Sequence, residues 1–232
     1  MEDMTEHRPH HLSQHLLTNR HDYLPAAGHD LLLPGYDLLT RLLGMGRVYD
    51  ALVDQADLGA GQRVVEIGCG TGNLTTRVKR AYPAVDIVGT DPDPRALARA
   101  QRKAKGMTGI RFEHAYAQDL PFEVGEFDRA LSSMMLHHLD EDTKSAAVAE
   151  LFRVLRPGGR LDIVDIGGDA GGAHGLAARW IQHDHHVAGN LGDAIPRLLT
   201  AAGFDCTVVR TQPHRVMGAL TFYRATRPGS ER

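Results

Sequence analysis

The chain has 232 residues, with 26 lysines and arginines against 29 aspartates and glutamates, a formal charge of −3 at pH 7. A pI near 6.5 excludes general nucleic-acid binding through counterion release, which needs a basic excess; two cysteines, Cys69 and Cys206, exclude a disulfide framework. Hydrophobic residues make up 42% and glycines number 25, the apolar share of a globular domain, and no apolar run nears the roughly 20 residues of a membrane helix.

Residues 1–30 carry six of the fourteen histidines and are broken by Pro9 and Pro25, which reads as a flexible arm. Over 31–58, Tyr36, Leu39, Leu42 and Leu43, then Val48, Leu52 and Val53, recur at helical spacing, predicting two short helices parted at Gly44–Gly46 that form a helical cap. From 59 onward short β-type runs alternate with helical segments. Strands are expected at Val64–Ile67, Asp86–Gly89, Ile110–His114, Phe127–Ser132 and Leu161–Asp165, and helices at Leu74–Tyr82, Arg95–Lys105 and Asp142–Leu155. Asp93 before Pro94 marks a helix start, and Pro157-Gly158-Gly159 a helix stop. A helix over Ala194–Ala202, closed by Gly203, precedes β runs at Asp205–Thr211 and Met217–Thr226 joined through Pro213, an expected antiparallel pair. This order predicts a doubly wound α/β domain over 59–232 with a mostly parallel seven-stranded sheet, and a lid insertion near 168–190.

The strongest chemical signal is Val64-Val65-Glu66-Ile67-Gly68-Cys69-Gly70-Thr71-Gly72-Asn73-Leu74. A buried strand running into alternate glycines and then a helix lets a ligand approach the backbone at the carboxyl edge of a sheet. The dinucleotide fingerprint G-x-G-x-x-G would need a glycine at position 73, where Asn73 stands. Glu66 suits a cofactor with a cationic group better than one with two phosphates. Cys69 reads as a small filler in the loop.

Carried by these residues and by the motifs that follow them, the sequence resembles the class I S-adenosylmethionine (SAM)-dependent methyltransferases of small molecules, a group that includes the ubiquinone/menaquinone biosynthesis type. The resemblance spans about Tyr36 to Phe204. It implies that Glu66, Gly68, Cys69, Gly70, Gly72 and Asn73 form the loop passing the methionine part of the cofactor. In Val88-Gly89-Thr90-Asp91-Pro92, Asp91 would accept hydrogen bonds from the ribose hydroxyls. It stands 19 residues after Gly72, near the roughly 20 that such units place before the ribose acid. Ala117-Gln118-Asp119-Leu120-Pro121-Phe122 resembles the adenine-contacting turn, and Phe127-Asp128 through Ser133 and His137-His138-Leu139 the fourth strand with its loop. Gly35-Tyr36-Asp37 resembles the tyrosine segment that closes over the cofactor, although a core tyrosine on an amphipathic helix fits as well.

The implied activity is methyl transfer from SAM to an O, N, C or S atom of a small organic molecule, with S-adenosylhomocysteine as second product. The loop following the fourth strand differs from the Gly-Leu-Arg-Asn-like loop of the quinone enzymes. Candidate acid/base or acceptor-orienting groups are His137 and His138, and His183 and His185 in the Trp180–His186 cluster; a histidine suits proton transfer at neutral pH. His183 and His186 are one helical turn apart, yet no further Cys/His set accompanies them and no metal is expected. Two alternatives stay open on sequence: a SAM-binding protein without methyl transfer, and a nicotinamide-dependent oxidoreductase. The expected partner is a small-molecule acceptor, without nucleic acid or integral membrane segment, in the cytoplasm; the sequence does not fix an oligomeric state.

Overall fold

The computed structural model describes residues 43–168, 190–214 and 217–229. In chain order these form α1 (Met45–Ala56), β1 (Arg63–Ile67), α2 (Asn73–Ala81), β2 (Asp86–Asp91), α3 (Pro94–Lys103), β3 (Ile110–His114), β4 (Phe127–Ser133), a 3-10 turn (Leu136–His138), α4 (Glu141–Val154), β5 (Leu155–Ile166), α5 (Ala194–Ala201), β6 (Asp205–His214) and β7 (Gly218–Thr226).

The expected seven-stranded sheet is present, in the order β3-β2-β1-β4-β5-β7-β6. The first five strands pair in parallel, and β7 runs antiparallel between β5 and β6. The chain goes outward from β1 to β3, then returns to lay β4 against the other side of β1. That reversal puts the topological switch point between β1 and β4, at whose carboxyl ends open α/β sheets bind ligands.

Each face of the sheet has its own apolar layer. On one side α1 and α2 contribute Met45, Leu52, Ala56, Leu74 and Val78, packed with Val64, Ile87, Leu131, Val164 and Phe222. On the other, Val148, Leu151 and Val154 of α4 and Ile195 and Leu199 of α5 pack with Val65, Ala130, Ile163 and Ala225. Neighbouring strand residues such as Val64 and Val65 therefore serve opposite layers, as the two-residue period of a strand requires. Of the cap expected over 31–58, the described part is α1, and α1 belongs to this helical layer.

Three local expectations differ from what is observed. Gly46 lies inside α1, and the helix begins after Gly44, whose φ of 79° only glycine adopts without strain. β5 begins at Leu155 instead of Leu161: α4 ends at Val154, just before Pro157-Gly158-Gly159 as expected, but these residues already lie within β5, whose pairing with β4 shifts register between Phe127 and Arg129. Pro213 lies within β6, opposite Ala219, and not in the connection; β6 is the edge strand, the place in a sheet where proline is tolerated.

Candidate functional site

The carboxyl edge of the sheet gathers three acids at the ends of β1, β2 and β5. Asp91 ends β2 and is 7% exposed. Gly70 donates its backbone N–H to Asp91 Oδ2 at 2.7 Å, and Asp93 donates its own to Oδ1 at 2.9 Å. The second glycine of the loop and the turn into α3 thus hold the carboxylate from both sides, and each oxygen keeps a further lone pair for a ligand. Burial pushes its pKa up to about 6, against the lowering effect of these hydrogen bonds. Asp93 caps α3 by accepting from the Arg95 N–H at 2.8 Å, with Pro94 in the first turn.

Glu66, on β1, is almost wholly buried and accepts from Thr75 Oγ1 of α2 at 2.5 Å. Burial, joined by the charge of Asp91, raises its pKa to about 8 although the Thr75 hydrogen bond pulls the other way. Glu66 therefore favours its protonated form at neutral pH. A cationic ligand group beside it would draw out the carboxylate.

The glycine loop is tightly enclosed. A Cβ on Gly68 would lie 2.3 Å from Met135 Cγ, and one on Gly72 would lie 2.9 Å from Ala100 Cβ and 3.1 Å from the Phe112 ring; both glycines also have positive φ. Cys69 is buried, donates its N–H to Thr90 O, and its thiol is pushed well above its ordinary pKa by burial beside Glu66 and Asp91. Such a thiol is no nucleophile at neutral pH. Asn73 opens α2, and its Oδ1 accepts from Lys103 Nζ at 2.6 Å, tying the loop to α3.

Asp119 is exposed in the turn between β3 and β4, where it bridges to Tyr116. Leu120 beside it is buried, and its backbone is fully engaged: its N–H donates to Glu150 Oε2 at 2.9 Å and its carbonyl accepts from Arg153 Nη2 at 3.0 Å. Pro92 is half-buried between Asp91 and Asp93. Ser133 ends β4 with a buried Oγ that has no hydrogen-bond partner among the described residues.

Just beyond Ser133, Met134 has a φ of 55°, a conformation strained for a residue with a long side chain, and its N–H is held by Val164 O at 2.9 Å. The kink leads into the 3-10 turn carrying both candidate histidines. His137 is half-buried and its Nδ1 lies 2.6 Å from Asp165 Oδ1 on β5; the exposed His138 stacks beside it with ring centroids 4.0 Å apart. Tyr36, His183 and His185 lie outside the described residues, as does most of the 168–190 segment.

Sequence reasoning missed Asp165, Glu150, Arg153, Thr75 and Lys103. Asp165 had a readable signal, because it ends an apolar strand as Asp91 does. The other four act across 9 to 33 residues of chain, a distance no local pattern spans.

Comparison with known proteins gives the chain's relatives. A family model described as a methyltransferase domain matches residues 64–159. The demethylmenaquinone methyltransferase of Thermus thermophilus is 38% identical over 64% of this chain and 68% of that protein. The enzyme of the same name from Deinococcus radiodurans is 32% identical over 84% of each. Among solved structures, the Haemonchus contortus phosphoethanolamine N-methyltransferase 2 in complex with S-adenosyl-L-methionine superposes with a TM-score of 0.70 at 16% identity, covering 88% of this chain and 58% of that one.

Proposed function

Because the chain belongs to the class I SAM-dependent methyltransferases of the ubiquinone/menaquinone-biosynthesis-like group, we propose that the carboxyl edge of its sheet is the cofactor site, with the residues in the following roles. Asp91 takes the ribose hydroxyls, Glu66 faces the methionine ammonium, and Gly68, Cys69, Gly70, Gly72 and Asn73 form the loop along the methionine. Pro92 borders the ribose, Asp119 and Leu120 take the adenine, and Ser133 offers its unpartnered hydroxyl at the end of β4. Tyr36 closes the site from the N-terminal side.

The reaction is transfer of a methyl group from SAM to a small organic molecule. SAM supplies a methyl group already activated on a sulfonium, so the protein's task is to align the acceptor and remove its proton where it has one. On the acceptor side we place His137 and His138, with His183 and His185 of the 168–190 segment as further contacts. A small acceptor without nucleic acid fits the net charge of −3, no described helix is long and apolar enough to cross a membrane, and we place the enzyme in the cytoplasm.

The observation that carries the cofactor assignment is the Asp91 carboxylate, buried at the end of β2 and fixed by the loop's own Gly70 N–H. Replacing Asp91 with Ala should weaken SAM binding by about 2 kcal/mol, the worth of charged hydrogen bonds, measured by titration calorimetry on a variant with unchanged circular dichroism. Wild-type affinity in Asp91→Ala would remove the assignment.

A further inference from the structure

The helix that precedes β1 is fastened differently at its two ends. At the carboxyl end of α1, Gln55 Nε2 donates to Asp162 Oδ1 and to Tyr223 O, both at 2.9 Å. Arg224 Nη2 donates to Gln55 O at 2.8 Å, and Arg160 Nη2 to the carbonyls of Gln55 and Ala56. Both guanidiniums also pair with Asp162, which has no exposure. These bonds satisfy carbonyls that a helix end leaves without partners and clamp that end to β5 and β7. The amino end has no such clamp. Gly44 precedes it without a side-chain hydrogen bond, at a φ of 79° and with open space where a Cβ would stand, so the chain can change direction there at little steric cost.

One contact reaches this end from far along the chain: His214 Nε2 lies 2.8 Å from Leu43 O, 171 residues away. His214 ends β6. Leu220 of β7 stands opposite Ile166, the last residue of β5, and His214 stands opposite Gly218, two residues further out, so His214 lies beyond the carboxyl edge of the parallel strands. Its tautomer follows from its partners. Met217 donates its N–H to His214 Nδ1 at 3.1 Å, so Nδ1 presents a lone pair, Nε2 carries the proton, and Nε2–H donates to Leu43 O. The side chains of Leu43 and Met217 pack on the apolar layer of α1. Closing the β6–β7 turn needs only Nδ1, a task that an asparagine performs as well; reaching Leu43 needs Nε2.

We propose that His214 is a positioning residue that fastens the segment preceding α1 to the β6–β7 hairpin and so keeps Tyr36 at the cofactor site. This rests on the cofactor assignment above and on the role given there to Tyr36. Tyr36 stands seven residues before Leu43, a length of chain that reaches at most about 25 Å, so fixing Leu43 confines Tyr36 to the neighbourhood of the carboxyl edge. His214 touches no ligand itself. Its bond orders the entry of the segment before SAM arrives, and affinity gains because less ordering is left for the binding step. Gly44 is the hinge of that segment and His214 its catch, while the Asp162 cluster keeps the rest of α1 in place.

A glutamine amide mimics Nε2 of histidine and an asparagine amide mimics Nδ1, so two substitutions separate the bonds. His214→Gln can donate to Leu43 O and should bind SAM within about twofold of wild type by titration calorimetry. His214→Asn can accept from Met217 but cannot reach Leu43, and should bind SAM about fivefold more weakly, the worth of one hydrogen bond. Tyr36→Ala should bind SAM more weakly by itself, and in that background the effect of His214→Asn should vanish, because both changes act through one segment. Nitrogen-15 NMR of the histidine rings in the wild-type protein at pH 8, which requires no variant to fold, should show His214 protonated at Nε2 and bare at Nδ1. The opposite tautomer, wild-type affinity in His214→Asn, equal losses in both His214 variants, or a His214→Asn loss that persists in full beside Tyr36→Ala would each overturn the proposal. Wild-type affinity in Tyr36→Ala would overturn the role of Tyr36 and the proposal with it, whereas absence of SAM binding by the wild-type protein would overturn the cofactor assignment itself.

Discussion

Glu66 shows burial and ligand chemistry pulling against each other on one side chain. Without ligand its pKa of about 8, raised first by burial, keeps it protonated through neutral pH. The sign follows from linkage. A carboxyl whose folded pKa lies above its unfolded value contributes stability that is fully present below the unfolded value, near 4.5, and is lost as pH rises through about 8. A ligand ammonium reverses this preference, because it favours the carboxylate. SAM binding at pH 7 should therefore release close to one proton per site, and affinity should rise with pH up to about 8. Calorimetry in buffers of different ionisation enthalpy reads that proton directly, and Glu66→Gln should abolish it; proton-neutral binding by the wild type would remove Glu66 from the cofactor site. At Asp91, with a pKa of about 6, the same logic operates at lower pH, so the two acids separate in a pH series.

Among the elements, the turn from β3 to β4 shows how a loop is held in place by a helix. Arg153 of α4 donates to the carbonyls of Phe122 at 2.7 Å and Leu120 at 3.0 Å, while Glu150 accepts from the Leu120 N–H and pairs with Arg153. Removing the guanidinium should free the Asp119–Leu120 turn without opening the core, since Leu151 and Val154 stay packed. Arg153→Ala is expected to bind SAM about tenfold more weakly with a near-unchanged melting temperature. A large fall in melting temperature with normal affinity would make the clamp structural only. The strands and helices of this region are legible in sequence, because apolar periodicity and the Asp93-Pro94 start are local signals. The Glu150–Arg153 clamp is not legible, because its meaning depends on a loop about 30 residues away. The same division explains Pro157-Gly158-Gly159: a proline–glycine cluster reads correctly as the end of α4, but its place in an irregularity of β5, between the pairings of Leu155 and Arg160 with β4, depends on a strand about 30 residues away.

For the whole molecule, the alternation of strand and helix is enough to predict a parallel sheet, but the strand order that puts the switch point between β1 and β4 is set by packing on both faces. The glycine loop and Asp91 could be found from sequence because they lie within one βαβ unit and must sit at its carboxyl edge. Asp165 could not be joined to His137 that way, because they meet only when β5 is laid beside β4. We propose that this edge binds SAM and that the protein passes its methyl group to a small molecule. Incubation of the wild-type protein with trideuteromethyl-labelled SAM and a host metabolite extract, read by mass spectrometry, tests it most directly. A small-molecule product carrying the intact labelled methyl group is expected, formed in step with S-adenosylhomocysteine and, at subsaturating SAM, lowered about 30-fold in Asp91→Ala in line with its weaker binding; SAM binding with no labelled product from the wild type would contradict this.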